Sequence, residues 1–161
     1  MARAALDQLK LERILFIPTS AQHYRNPAVA SNEHRLAMLR LAIGGEPRYE
    51  IDTRELAPGA TGYTVDTLVG LHLEKPYLLM GADQYAKLGS WHRPEEVRRL
   101  SRIAVFARPG YPMEEGVRTI ALPMMNVSAS EIRARVARGE DISAMVPPAV
   151  ARHIAANRLY R

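Results

Sequence analysis

One stretch decides the fold: YLLMGADQYAKLGSWHRPEEVRRLSRIAVFA, residues 77–107. It opens on the continuous apolar run Tyr77–Met80 and closes on a second run, Ile103–Ala107, and each has the length of a buried strand. Between them, Pro94 occupies the favoured first position of a helix that would end near Leu100. A strand, a helix and a second apolar strand make a βαβ unit, so the stretch predicts neighbouring parallel strands.

The same alternation extends over the rest of the chain. Further strands are predicted at Arg13–Ile17, Tyr49–Asp52 and Arg118–Ala121. Further helices are predicted at Ala2–Leu9, Ser31–Ile43, Thr64–Leu73, Ser128–Arg138 and Pro148–Asn157, with Thr64 capping its own helix and with Gly44 and Gly139 ending two others. The pattern predicts one α/β domain, residues 1–161, on a doubly wound parallel sheet.

Composition narrows the class of protein. Of the 161 residues, 47% are hydrophobic and 24% are charged, which are globular values. The absence of cysteine excludes disulfides and thiolate metal sites. No apolar run approaches the ~18 residues of a membrane span, and no signal peptide opens the chain. A soluble, cytoplasmic protein is expected.

Charge points to an anionic partner. The 22 Lys and Arg residues exceed the 17 Asp and Glu residues, for a net charge of +5. Such an excess suits nucleic acid or small phosphorylated ligands. No basic block with interleaved aromatic residues is present, so a nucleic-acid partner is not expected. No metal-binding spacing is found among the histidines, which are His23, His34, His72, His92 and His153.

Ligands of parallel α/β sheets bind beyond the carboxyl ends of the strands. The unusual polar residues of this chain gather in the segments that follow strands, which are residues 18–27, 81–83, 108–111 and 127–133. This coincidence predicts a ligand site at that edge.

The segment NVSASEIRARVARGE, residues 126–140, is the most informative of these. Ser128 and Glu131 fit a reciprocal capping box, which an ordinary surface helix would also have. Helix side chains lean toward the N-terminus, so Arg133 can reach the hydroxyl of Ser130. Free amides, the helix dipole, a hydroxyl and a guanidinium would then converge, which predicts a phosphate site.

Segments along nearly the whole chain match one family in order and spacing. They are IPTSAQHYR, HRLAMLRLAI, YEIDTREL, GYTVDTL, MGADQYAKLGSWHR, ARPGYP and the tail from residue 126. On these segments the chain resembles bacterial nicotinate-nucleotide adenylyltransferases of the nucleotidyltransferase α/β superfamily. The resemblance implies a Rossmann-like nucleotidyltransferase fold, and transfer of AMP from ATP to nicotinate mononucleotide. The products would be deamido-NAD and pyrophosphate, in NAD biosynthesis.

The resemblance also implies site residues. ATP phosphates would be held by Ser128, Ser130 and Arg133, and the adenosine ribose by Asp83. Nicotinate mononucleotide would be held by Arg25, Tyr63, Thr64, Trp91 and Arg108, with Trp91 stacking on the pyridine ring and the two arginines meeting phosphates. Mg²⁺ would be bound mainly through ATP oxygens, without a protein cage. The nucleophile is a phosphate monoester with a second pKa of about 6, so no catalytic base is expected, and the task is to position two anions and stabilise charge.

Ordinary structural roles stay open for several of these residues. Thr64 and Asp83 could be helix caps, Trp91 could be packing, and Arg108 could be an exposed turn residue. Alternative functions are a phosphopantetheine adenylyltransferase, which would share the fold and the serine–arginine site, and a non-catalytic nucleotide binder.

The family pattern is incomplete at the start. Family members open with a strand and G-G-x-F-D-P-x-H-x-G-H, and nothing here matches; Ala2–Leu9 resembles the end of the helix that follows. The absent strand would be central, beside Arg13–Ile17 and Tyr77–Met80, and its loss would remove on the order of 10 kcal/mol from a typical domain stability of about 5–15 kcal/mol. The expectation is a native start about 20–30 residues upstream, with poor folding and little turnover from Met1 onward. A shortened, inactive relative is the alternative, which a stop codon just before Met1 would favour.

Overall fold

The computed structural model describes residues 1–20, 29–108, 110–122 and 127–161. In these ranges the strands are β1 Ile14–Phe16, β2 Tyr49–Ile51, β3 Tyr77–Gly81, β4 Arg102–Phe106 and β5 Arg118–Ile120. The helices are α1 Ala2–Leu9, α2 Asn32–Ile43, α3 Thr64–Leu71, α4 Ala82–Tyr85, α5 Pro94–Leu100, α6 Ala129–Ala137 and α7 Pro148–Ala156. Short 3₁₀ turns lie at Arg54–Leu56 and Leu88–Ser90. Every predicted strand and helix is confirmed, with ends that differ by at most two residues, as fraying ends do.

The predicted βαβ unit is β3, α5 and β4. Strands β3, β4 and β5 form a parallel sheet in that order, with Tyr77 opposite Arg102 and Ala104 opposite Arg118. In the described residues, β1 is hydrogen-bonded only to β2, so the strands form two sheets instead of the single sheet that the alternation predicts. The parallel α/β class is confirmed.

The chain divides into two compact units, each with its own apolar core. The first unit comprises Met1–Ile14 and Thr61–Met124. A core cluster of this unit joins side chains of α3, β3, α4, the 3₁₀ turn Leu88–Ser90, α5 and β4, namely Val65, Leu68, Met80, Ala82, Tyr85, Leu88, Val97 and Val105. None of the helices in the described ranges is long and apolar enough to cross a membrane.

The second unit comprises Leu15–Ala60 and Met125–Arg161. Its core cluster centres on Ile142, Val150 and Ile154, which are 4–7% exposed. Met38 of α2 and Ile132 and Val136 of α6 pack against this cluster. Ile132 and Val136 are four residues apart, so they share one face of α6 and fix that face to the core. The helix that carries the predicted phosphate site is therefore anchored from one side.

Candidate functional site

The first turn of α6 is built as a capped helix start. Ser128 is the N-cap in an extended conformation, and its hydroxyl accepts a hydrogen bond from the Glu131 amide at 3.1 Å. The reciprocal bond of a capping box, from the Ser128 amide to the Glu131 carboxylate, is not formed in the described residues, where that carboxylate accepts from Arg135 Nε at 2.9 Å. The first amides of the helix have no carbonyl partner within it, so they are available to an anion.

Arg133 and Ser130 meet as the sequence predicts. The Arg133 guanidinium donates to the Ser130 hydroxyl at 3.2 Å, three residues back toward the N-terminus. Ser128 and Ser130 are exposed and Arg133 is half-buried, so the group is accessible from solvent. A hydroxyl and a guanidinium thus stand together at the positive end of the α6 dipole.

The two other arginines of α6 are neutralised by carboxylates. Arg135 Nε lies 2.9 Å from Glu131 and 3.9 Å from Glu140, and Arg138 Nε lies 2.5 Å from Glu140. The hydrogen bond from Arg138 lowers the pKa of the Glu140 carboxyl. Arg133 makes no ion pair in the part of the chain that the structure describes. The charge of Arg133 is therefore available to a ligand. The sequence favoured Arg133 only because side chains in a helix point toward its N-terminus.

Asp83 lies just beyond the end of β3, in the first unit. Gly81 is the N-cap of α4, so the alternative that Asp83 caps this helix is wrong. One Asp83 carboxylate oxygen accepts from Gln84 Nε2 at 2.9 Å, and the other would lie 2.6 Å from a Cβ atom added to Gly81. Real Cβ atoms do not approach an oxygen so closely, so the glycine allows the carboxylate to fold back over the strand end. The sequence analysis did not predict that the position of the Asp83 carboxylate depends on Gly81. The sequence feature that could have indicated it is the spacing of two residues between Gly81 and Asp83.

Tyr63, Thr64 and Trp91 belong to neighbouring segments of the same unit. Tyr63 is the N-cap of α3 and its ring stacks on His92, with centroids 4.2 Å apart and planes 25° apart. Trp91 ends the 3₁₀ turn and is half-buried, and both Tyr63 and Trp91 pack against the core cluster of this unit. Trp91 therefore does pack against the core, as the alternative role predicts, but the residue stays partly exposed. His92, which has no metal-binding spacing in the sequence, makes a tertiary contact by stacking on Tyr63.

Thr64 is the first residue of α3, so its predicted role as the cap is wrong. The local polar contacts are made by Thr61 instead. Its hydroxyl accepts from the Tyr63 amide at 3.2 Å and donates to Asp66 at 2.7 Å. Asp66 also lies 3.5 Å from the Arg93 guanidinium, which ties the start of α3 to the segment that follows Trp91.

Arg108 follows β4 by two residues and is exposed. Its carbonyl accepts from the Tyr111 amide at 3.3 Å, so the turn interpretation holds for its backbone. Its guanidinium makes no ion pair with a carboxylate in the described ranges. Because Gly81 pairs with Phe106, the segments that carry Asp83 and Arg108 leave the same edge of the sheet. Arg25 lies outside the described residues.

Comparison with known proteins gives one family. Residues 1–135 match the family model described as cytidylyltransferase-like. A protein of Laribacter hongkongensis named "Probable nicotinate-nucleotide adenylyltransferase" is 36% identical, over 100% of this chain and 86% of its own length. A protein of the same name from Bordetella petrii is 38% identical, over 100% of this chain and 90% of its own.

The solved structures agree on the fold. The Plasmodium falciparum nicotinic acid mononucleotide adenylyltransferase complexed with APC superimposes with a TM-score of 0.72, at 18% identity, over 98% of this chain and 89% of that one. At that identity the likeness concerns the fold alone. The sequence relatives carry the assignment further: the chain belongs to the cytidylyltransferase-like family and, within it, to the nicotinate-nucleotide adenylyltransferases.

Proposed function

We propose that this chain transfers the adenylyl group of ATP to nicotinate mononucleotide, giving deamido-NAD and pyrophosphate, in the biosynthesis of NAD. The observation that carries the proposal is Arg133, a guanidinium without an ion-pair partner in the described residues, bonded to Ser130 at the start of a capped helix. The names and coverage of the sequence relatives supply the identity of the reaction.

The ATP contacts follow from the chemistry of the side chains. Arg133 and the hydroxyls of Ser128 and Ser130 would donate to phosphate oxygens, together with the first amides of α6. The Asp83 carboxylate can only accept hydrogen bonds, which suits the two hydroxyl donors of a ribose.

The nicotinate nucleotide would be held by the remaining residues. Trp91 presents an aromatic ring that can stack on the pyridine, and Tyr63 extends the aromatic surface through His92. Thr64 supplies a hydroxyl near the start of α3. Arg108, and Arg25 by its place in the family pattern, would meet the negative groups of this substrate.

The reaction needs positioning more than proton transfer. The attacking phosphate is already largely anionic at neutral pH, so no side chain of this chain acts as a general base. The oxygen of nicotinate mononucleotide attacks the α-phosphorus of ATP, and the bond to pyrophosphate breaks in line. Arg133 and the α6 amides would stabilise the charge that grows on the phosphate oxygens. The Arg133 guanidinium is therefore expected to contribute strongly to stabilisation of the transition state.

Mg²⁺ belongs to the proposal as a partner of ATP. In the described residues, no three His, Cys, Asp or Glu side chains lie close enough together to hold a metal ion. We assign the ion to the ATP phosphates, where it would neutralise charge. We assign no protein ligand to it. The cytoplasmic location stays a prediction.

The test compares two acceptors. Protein expressed from its own gene, with any residues encoded in frame before Met1 retained, is given ATP with either nicotinate mononucleotide or phosphopantetheine, and pyrophosphate is measured. We expect release only with the nicotinate nucleotide. Release only with phosphopantetheine would establish the alternative acceptor. ATP binding without pyrophosphate release from either mixture would identify a non-catalytic nucleotide binder.

A further inference from the structure

A second group of arginines lines a cavity in the first unit. The cavity has a volume of about 510 Å³ and is bounded by β3, β4, α4, α5 and the residues around the start of β5. Its volume falls in the ~300–1,000 Å³ range of small-molecule sites. The side chains that give it its chemistry are three arginines and two tyrosines: Arg98, Arg102, Arg118, Tyr77 and Tyr85.

The charges of these arginines are not neutralised by neighbouring acids. In the described part of the chain, none of the three makes an ion pair, whereas Arg93 and Arg99 both pair with Glu96 of the same α5 segment. Arg98 lies over the Tyr85 ring and Arg102 over the Tyr77 ring, each at 5.9 Å from the centroid. Such aromatic contacts orient a guanidinium without cancelling its charge.

The sheet register brings two of the arginines together. Arg102 and Arg118 are the first residues of β4 and β5, and Arg118 pairs with Ala104, two residues after Arg102. Residues two apart on a strand face the same side, so both side chains leave one face of the sheet. Strand spacing places their Cα atoms about 8 Å apart. Two long, flexible arginine side chains that start this close together can bring their guanidiniums to phosphate groups of one molecule.

The cavity arginines are distinct from the proposed substrate residues. Tyr77, Arg102 and Arg118 begin their strands, whereas Asp83 and Arg108 follow strand ends. The five residues of β3 place these two edges about 13 Å apart. The Glu114 carboxylate lies beside the cavity, where it accepts from the Tyr85 hydroxyl at 2.7 Å.

From this geometry we infer that the cavity is a second anion site, which binds a small molecule that carries a polyphosphate chain. Guanidinium groups bind phosphate oxygens in pairs of parallel hydrogen bonds and remain charged at every physiological pH. The three guanidiniums are the charged groups among the residues that line the cavity, so a small anionic molecule would meet positive charge there. The inference does not depend on which reaction the protein catalyses.

The test titrates tripolyphosphate into the protein by calorimetry, without magnesium. The background variant Arg133→Gln weakens phosphate binding at α6, so that the strongest remaining binding reports the cavity. In that background, the added changes Arg102→Gln and Arg118→Gln should weaken the strongest binding event about 10- to 100-fold, since bonds to charged groups are being removed. The matched control is Arg99→Gln, one residue from Arg98 and outside the cavity, which should leave the affinity unchanged.

A second variant gives an independent readout. Glu114→Gln keeps a hydrogen-bond acceptor for Tyr85 and removes the carboxylate charge beside the cavity, so tripolyphosphate should bind more tightly. Circular dichroism checks that each variant is folded, which the exposed positions of Arg102 and Arg118 favour. The inference is overturned if Arg133→Gln binds no tripolyphosphate, or if the cavity variants bind it as the background does.

Discussion

Replacing Arg133 by glutamine tests the proposed phosphate site most directly. Glutamine retains a donor and much of the length of the side chain but removes the charge. Arg133 makes no ion pair in the described ranges, and its contact is a 3.2 Å bond to Ser130. The free energy of unfolding should therefore change by no more than about 0.5 kcal/mol, as for other surface changes.

The expected loss is catalytic. A hydrogen bond to a charged group contributes about 1.5–3 kcal/mol, so kcat/KM for ATP should fall roughly 10- to 150-fold. KM for nicotinate mononucleotide should stay close to that of the wild type. The assay is pyrophosphate release at limiting ATP, on protein expressed from its own gene with any in-frame residues before Met1 retained.

The control is Arg138→Gln on the same helix. Arg138 is held by Glu140 and Glu131, so it has no free charge for ATP. Exposed ion pairs contribute about 0.2–1 kcal/mol to stability, and activity should stay within about twofold, which is under 0.5 kcal/mol. Equal losses in both variants, or a wild-type kcat/KM in Arg133→Gln, would refute the assignment of the phosphate site to Arg133.

Three further predictions concern the first unit. Gly81→Ala should raise KM for ATP several-fold and leave KM for the nicotinate nucleotide unchanged in steady-state assays, because the new Cβ would displace the Asp83 carboxylate that lies 2.6 Å away. Trp91 is the only tryptophan, so nicotinate mononucleotide alone should quench the intrinsic fluorescence, and an unchanged spectrum at saturation would remove the stacking role. Burial and the Glu114 hydrogen bond raise the pKa of Tyr85 above its ordinary value of 10.0. This contribution to stability is complete below pH 10 and is lost as the pH rises through the pKa of the folded state, so denaturant titrations at increasing alkaline pH should show a decline that Tyr85→Phe reduces.

Local features of the fold could be predicted because their causes are local. Pro94 starts α5, Gly139 follows α6 with φ of 72°, and the Ser130–Arg133 bond depends only on helix geometry. Competition between nearby groups was harder to predict. Thr61 rather than Thr64 makes the side-chain hydrogen bonds at the start of α3, because its hydroxyl reaches both the Tyr63 amide and the Asp66 carboxylate.

Contacts between distant segments could not be predicted from spacing. Between Tyr63 and His92 lie α3, β3, α4 and a 3₁₀ turn, and neither local sequence indicates that the two rings stack. The cavity arginines are likewise spread from residue 98 to residue 118 without any period, and only the β4–β5 register brings Arg102 and Arg118 together. The division of the strands into two sheets also depends on pairing, which the alternation of elements does not specify.

The short helix α4 carries one residue of each proposed site. Ala82 and Tyr85 hold it in the core, at 0% and 8% exposure, while Asp83 lies over the strand end and the Tyr85 ring borders the cavity. A ligand that shifts this single helical turn would therefore move both Asp83 of the proposed ATP site and Tyr85 of the cavity. By thermodynamic reciprocity, any factor by which a polyphosphate in the cavity changes ATP affinity must equal the factor by which ATP changes the affinity for that polyphosphate.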